Sequence, residues 1–196
     1  MRSERGLQIQ ESQEKEVTGH DIEDKVVEFL AGSFDCIASI EKTNRSGAND
    51  KKGIDAVLTF KDGDKMAVDV TAGVGQRVDD KRKSMTRNPL VKVEAERNEQ
   101  GRVVVEKSKD LVPRGIIQVD MAHWQEYGVE SVNGEVMVYM PDEKTRIREE
   151  KDVLHQLLRQ IDHFSSINHE YETKTEVIKN ALIAELKELQ NIEQEL

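Results

Sequence analysis

The chain has 196 residues, 36% of them hydrophobic and 35% charged, with a formal net charge of −10. That length can bury one sizeable core and carry an appendage, and the periodic apolar segments exclude wholesale disorder. The acidic balance speaks against general binding to phosphate backbones, which rests on counterion release by Lys and Arg, and a single cysteine, Cys36, excludes a disulfide framework or a cysteine-based zinc cluster.

A reducing, cytoplasmic setting is expected. No apolar run approaches the roughly 20 residues that span a bilayer, and the polar N-terminus reads as neither a signal peptide nor a membrane segment. Residues 1–18 lack periodicity and are expected to form a flexible arm. A helix then opens with Asp21 as its cap, carries Ile22, Val26, Phe29 and Leu30 as an apolar stripe with Glu23 and Glu28 on other faces, and stops at Gly32. Residues 34–43 read as a strand, and residues 44–50 as a polar loop with one glycine.

The next stretch, residues 53–71, reads as a β-hairpin bearing two acids. Ala56, Leu58 and Phe60 alternate with Val57 and Thr59, Met66, Val68 and Val70 alternate with Ala67 and Asp69, and Asp62-Gly63 supplies the turn. Pairing Phe60 with Lys65 brings Asp55 and Asp69 near each other at the end away from the turn. Two carboxylates held close raise each other's pKa unless a cation lies between them, so the pair is a candidate divalent-metal site; two solvated strand-end acids are the alternative.

Beyond the turn at residues 72–75, residues 76–87 form a charged helix that ends before Pro89. Residues 90–96 and 102–107 suggest an inserted hairpin, with a helix through residue 96 as the alternative. Ile116, Ile117 and Val119 make a short buried strand after Pro113, and residues 135–140 make another after Asn133-Gly134. Leu111-Val-Pro-Arg-Gly115 matches a thrombin site by coincidence. From Thr145 the pattern turns helical: Val153, Leu154, Leu157, Leu158, Ile161 and Phe164 form one stripe, and Ile178, Leu182, Leu186, Leu189 and Ile192 a second after Ser165-Ser166. The expected organisation is a flexible arm over residues 1–18, an α/β core over 19–141 and a helical extension over 142–196. The apolar surface of the last helix suggests a homodimer formed through the C-terminal helices.

Helix, strand, acid-bearing hairpin, helix and strand, in that order, resemble the core of the PD-(D/E)XK nuclease superfamily, the restriction-endonuclease-like fold. The residues that carry the resemblance are Gly53-Ile54-Asp55 and Val68-Asp69-Val70-Thr71, with Thr71 standing where the family pattern places a lysine. Archaeal Holliday-junction resolvases look nearest, through Glu23-Asp-Lys-Val-Val-Glu-Phe-Leu30, Ser46-Gly47 and the two acids. The resemblance spans residues 19–120 or so. It implies an αβββαβ core with a mixed central sheet, here followed by a C-terminal helical hairpin. It further implies Mg²⁺ (or Mn²⁺) held by Asp55, Asp69 and the Val70 carbonyl, Glu23 as an auxiliary acid, and hydrolysis of phosphodiester bonds in nucleic acid, with DNA the expected partner.

Hydrolysis also needs a cation beside the water and phosphate, and Thr71 brings none. Lys81 on the following helix is the expected substitute, with Lys52 second. Basic residues flank the hairpin on both sides, Lys42, Arg45, Lys51 and Lys52 before it and Arg77, Lys81, Arg82, Lys83 and Arg87 after it, so a local positive surface is compatible with the acidic total. A catalytically inactive nuclease-like module that binds nucleic acid or a partner protein is the second hypothesis. A coiled-coil assembly protein is the third.

Overall fold

A computed structural model describes residues 18–72, 75–132 and 135–196; the expected N-terminal arm and the Gly73-Val74 and Asn133-Gly134 turns fall almost wholly outside them. Helix α1 (Gly19–Ser33) starts one turn before the expected cap. Thr18 is the N-cap, and Asp21 is its reciprocal partner in a capping box. The predicted stripe is buried, and so is Glu23.

The centre is a five-stranded mixed sheet made of β1 (Ile37–Lys42), β2 (Ala56–Phe60), β3 (Lys65–Ala72), β7 (Val112–Val119) and β4 (Leu90–Val91), in the spatial order β1-β2-β3-β7-β4. The first three strands are an antiparallel meander, and β7 returns parallel to β3 after helix α2 (Gln76–Arg87). Parallel strands need such a crossover, whereas the β2–β3 connection needs only a tight loop. That loop is one residue away from the expected register: Thr59, not Phe60, faces Lys65. Phe60, the last residue of β2, faces Ile37 of β1, and its N–H closes the loop by donating to the Asp64 carbonyl at 2.8 Å.

Strand alternation divides the apolar residues between two faces. Leu58, Met66, Val68 and Val70 join Ile22, Val26 and Leu30 of α1 in the main core, together with residues of α4 (Glu143–Ser165) and α5 (His169–Glu195). Val57 and Ala67 join a smaller cluster with Ile54, Val93, Val105 and Val112. That cluster is closed by the inserted segment, in which β5 (Glu96–Arg97) and β6 (Val103–Val105) pair as a hairpin. A short helix, α3 (Met121–Gln125), follows β7 and buries Trp124, and β8 (Gly128–Val132) pairs antiparallel with β9 (Glu135–Tyr139).

The two C-terminal helices do not stand apart from the α/β part, because Leu154, Leu157 and Ile161 of α4 and Ile178, Leu182 and Leu189 of α5 belong to the sheet's own core. Of the apolar stripe that suggested a homodimer, Ile178, Leu182 and Leu189 are buried within the protomer and Leu186 and Ile192 partly so. Among the described residues, no helix is long and apolar enough to cross a membrane.

Candidate active site

Ala56 opens β2 opposite Val68, which brings Asp55 level with Asp69 on β3. Two hydrogen bonds hold the approach: Asp55 N–H donates to the Val68 carbonyl at 2.8 Å, and Val70 N–H donates to Asp55 Oδ2 at 2.7 Å. Asp69 lies two residues beyond Ala67, on the sheet face that carries the smaller cluster.

The turn into Asp55 depends on Gly53, which takes the left-handed conformation at φ 69°. A Cβ there would lie 2.7 Å from Asp69 Oδ2 and 3.2 Å from Arg114 Nη2, so backbone freedom and close approach both call for glycine. Upstream, the loop is clamped by Glu96 of the insertion, whose carboxylate accepts the N–H groups of Asn44 and Asn49. Gly47 passes so near that a Cβ would meet Glu96 Oε1 at 2.7 Å.

Asp69 is 3% exposed and holds the ammonium of Lys81 on Oδ1. The same ammonium donates to the Val70 carbonyl at 3.2 Å. Of the two candidate lysines only Lys81 reaches the acids: Lys52 donates instead to the Lys92 carbonyl at 2.9 Å and to Glu94. Thr71 is fully buried, and among the described residues its hydroxyl has no hydrogen-bond partner.

Burial is the largest cause that pushes Asp55 up to about 7; the Asp69 charge adds to it, and the Val70 N–H and Lys81 oppose it. Asp69 is raised by its burial, against the pull of Lys81 and Arg114. Glu23 raises both, which places its charge within electrostatic reach of the pair. It is buried on α1 and accepts His20 Nδ1 at 2.9 Å. Glu23 and Asp55 line a cavity of about 220 Å³ that also holds Asp24, Asp50, Lys42 and Arg45. Lys42 and Arg45 are bound to Asp24 there, which reduces the positive surface expected before the hairpin.

Arg114 on β7 escaped the sequence reading because it fell inside the thrombin-like motif. Its guanidinium is buried beside Asp69 and donates to the Lys52 carbonyl at 2.9 Å and, more weakly, to Gly53. The available signal was a charged residue within an otherwise apolar strand, since a buried charge has to find a partner.

Among the described residues, no three His, Cys, Asp or Glu side chains form a metal-binding group by themselves. The donor set at the strand pair is instead two carboxylates and one carbonyl. It suits a hard cation that keeps several waters and takes one or two carboxylates. In this structure the Lys81 ammonium is the cation on two of those three donors, by an ion pair and a hydrogen bond. Comparisons with family models, with curated proteins and with solved structures find no match to this chain.

Proposed function

We propose that the chain is a metal-dependent nuclease that hydrolyses phosphodiester bonds in DNA on a restriction-endonuclease-like core. The observation that carries the reading is the meeting of Asp55, Asp69, the Val70 carbonyl and the Lys81 ammonium where β2 and β3 run together. The strand order supports it: an antiparallel β1-β2-β3 meander, a helical crossover and a parallel β7 are what an αβββαβ core requires.

Asp55, Asp69 and the Val70 carbonyl would hold Mg²⁺ or Mn²⁺. The bound ion would polarise the scissile phosphate and lower the pKa of a coordinated water. The Val70 N–H fixes the Asp55 carboxylate in place. Lys81 supplies positive charge for the phosphate and the attacking water. Glu23, steadied by His20, is placed to accept a hydrogen bond from water in the neighbouring cavity. Arg114 is a positioning residue, tying Asp69 to the Gly53 turn.

Cleavage assays on single-stranded, duplex and branched DNA with Mg²⁺ or Mn²⁺ test the reading. Asp55→Asn and Asp69→Asn are each expected to abolish cleavage and calorimetric metal binding while keeping the circular dichroism of the folded chain. Relief of repulsion makes a small gain in metal-free stability the expected direction for Asp55→Asn, whereas Asp69→Asn takes the carboxylate from Lys81 and the buried Arg114 and is expected to lose some stability while staying folded. Unfolding of both variants would make the acids structural and sink the proposal. Thr71 favours a second reading, an inactive nuclease-like module, because its buried hydroxyl brings no charge where the superfamily has lysine. A wild type inactive on every substrate, with cleavage gained by Thr71→Lys alone, would establish that one.

A further inference from the structure

We propose that Lys81 is a displaceable counter-ion: its ammonium occupies the place of the divalent cation on Asp69 and the Val70 carbonyl, and cation entry drives it out toward the phosphate. The proposal rests on the metal-dependent reading above and adds a rule for how the site loads.

The first ground is coincidence of donors. Two of the three oxygens assigned to the metal already hold the ammonium, Asp69 Oδ1 in an ion pair and the Val70 carbonyl at 3.2 Å. Each of these oxygens has a second lone pair, but a divalent cation and an ammonium held on the same two oxygens lie side by side and repel. The second ground is the burial of Asp69. When ionised, a carboxylate only 3% exposed requires a counter-charge. Arg114 supplies part of it, but its guanidinium is held by the Lys52 and Gly53 carbonyls. Lys81 supplies the rest and holds that place until another cation arrives.

The third ground is mobility. The Lys81 side chain is 20% exposed and has a way into solvent that Asp69 lacks. Its helix is anchored by the buried Val78 and Met85, three residues before and four after, so the side chain can leave while the backbone stays. A lysine suits this work better than an arginine, being a compact charge on a flexible four-carbon stem. Released from Asp69, it becomes the free cation that the reaction needs, and loading the metal and arming the lysine are then one event.

Two measurements on the full chain test this. Acetylation kinetics resolved by mass spectrometry, at fixed pH, are expected to show Lys81 protected without metal and several-fold faster with saturating Mn²⁺, relative to the exposed Lys51. In Asp69→Asn, Lys81 should react fast with or without Mn²⁺. Calorimetry is expected to show Mn²⁺ binding about tenfold tighter to Lys81→Met than to wild type, through removal of a competing charge. Binding to Lys81→Met alone would be the extreme form of the same result. If Mn²⁺ binds both proteins equally and Lys81 reactivity does not change, the displacement idea is wrong and the nuclease reading stands. If Mn²⁺ binds neither, both fall together. The comparison with and without Mn²⁺ is made on the unaltered protein, so poor folding of a variant cannot mask the answer.

Discussion

Glu150 has the same electrostatic problem as the acid pair, away from the candidate site. It lies on α4 with no exposed surface, and burial raises its carboxyl to about 7 against the pull of Arg146 on the preceding turn. A carboxyl with a raised folded-state pKa binds its proton more tightly in the native chain than in the unfolded one, where the ordinary value is 4.5. Its contribution to stability is therefore complete below that value and is lost as pH rises through the folded value. Glu150→Gln should match wild type or fall slightly below it at pH 5, and exceed it by on the order of 1–3 kcal/mol at pH 8. Urea melts at the two pH values check this, and a stability difference independent of pH would show that Glu150 is ionised throughout. Single residues were legible where their role is local. Asp55 and Asp69 could be placed by counting along a hairpin, whereas Arg114 could not, because its partners come from β3 and from the loop before β2, far away in sequence.

The open edge of β7 shows what an element demands of its neighbours. Strand β4 pairs only with Pro113 and Val112, so on the side away from β3 the C-terminal half of β7 has no strand among the described residues. Helix α4 fills the gap with two amides one helical turn apart. Gln160 Oε1 accepts from Ile116 N–H at 2.8 Å and its Nε2 donates to the Ile116 carbonyl at 2.7 Å; Gln156 does the same for Gln118 at 2.8 and 2.9 Å. Each side chain reproduces the donor and acceptor of a strand residue and blunts an edge that would otherwise pair with another chain. Replacing both by leucine should cost roughly 2–4 kcal/mol, from four backbone groups left unpaired at about 1 kcal/mol each. Light scattering should then show association that grows with concentration. A stable monomer with an unchanged melting temperature would mean that water serves the edge equally well. Periodicity marked the α4 stripe, and helix α2 was delimited correctly from its charge run and Pro89, but nothing local separates these glutamines from solvent-facing ones. Their role exists only once the sheet order is known, and α3 was missed for a related reason, as a helix of five residues carries too little periodicity.

At the scale of the whole molecule, the core ignores the boundary expected near Asp142. Tyr171 of α5 is fully buried, and its hydroxyl donates to the Arg114 carbonyl at 2.9 Å, which joins the last helix to the strand beside the acid pair. Glu185 of the same helix accepts the Asp35 and Cys36 N–H groups just after α1. The stripe that predicted a helix was read correctly, but a stripe does not say which surface it covers, and here it covers the protomer's own sheet. Such a core should melt as one cooperative unit. Far-ultraviolet dichroism, which follows all helices, and the fluorescence of Trp124, buried in α3 against Phe29 of α1, should give coincident transitions. Leu182→Ala on α5 should cost about 2–5 kcal/mol, as for other buried leucines. Tyr171→Phe should cost about 1–3 kcal/mol, because it leaves the Arg114 carbonyl unpaired. Both variants should shift the two probes equally, although the ring partners of Trp124 are Phe29 of α1 and Tyr127. If the helical signal instead melts early while Trp124 stays native, α4 and α5 are a separable extension after all, and the acid pair owes nothing to them.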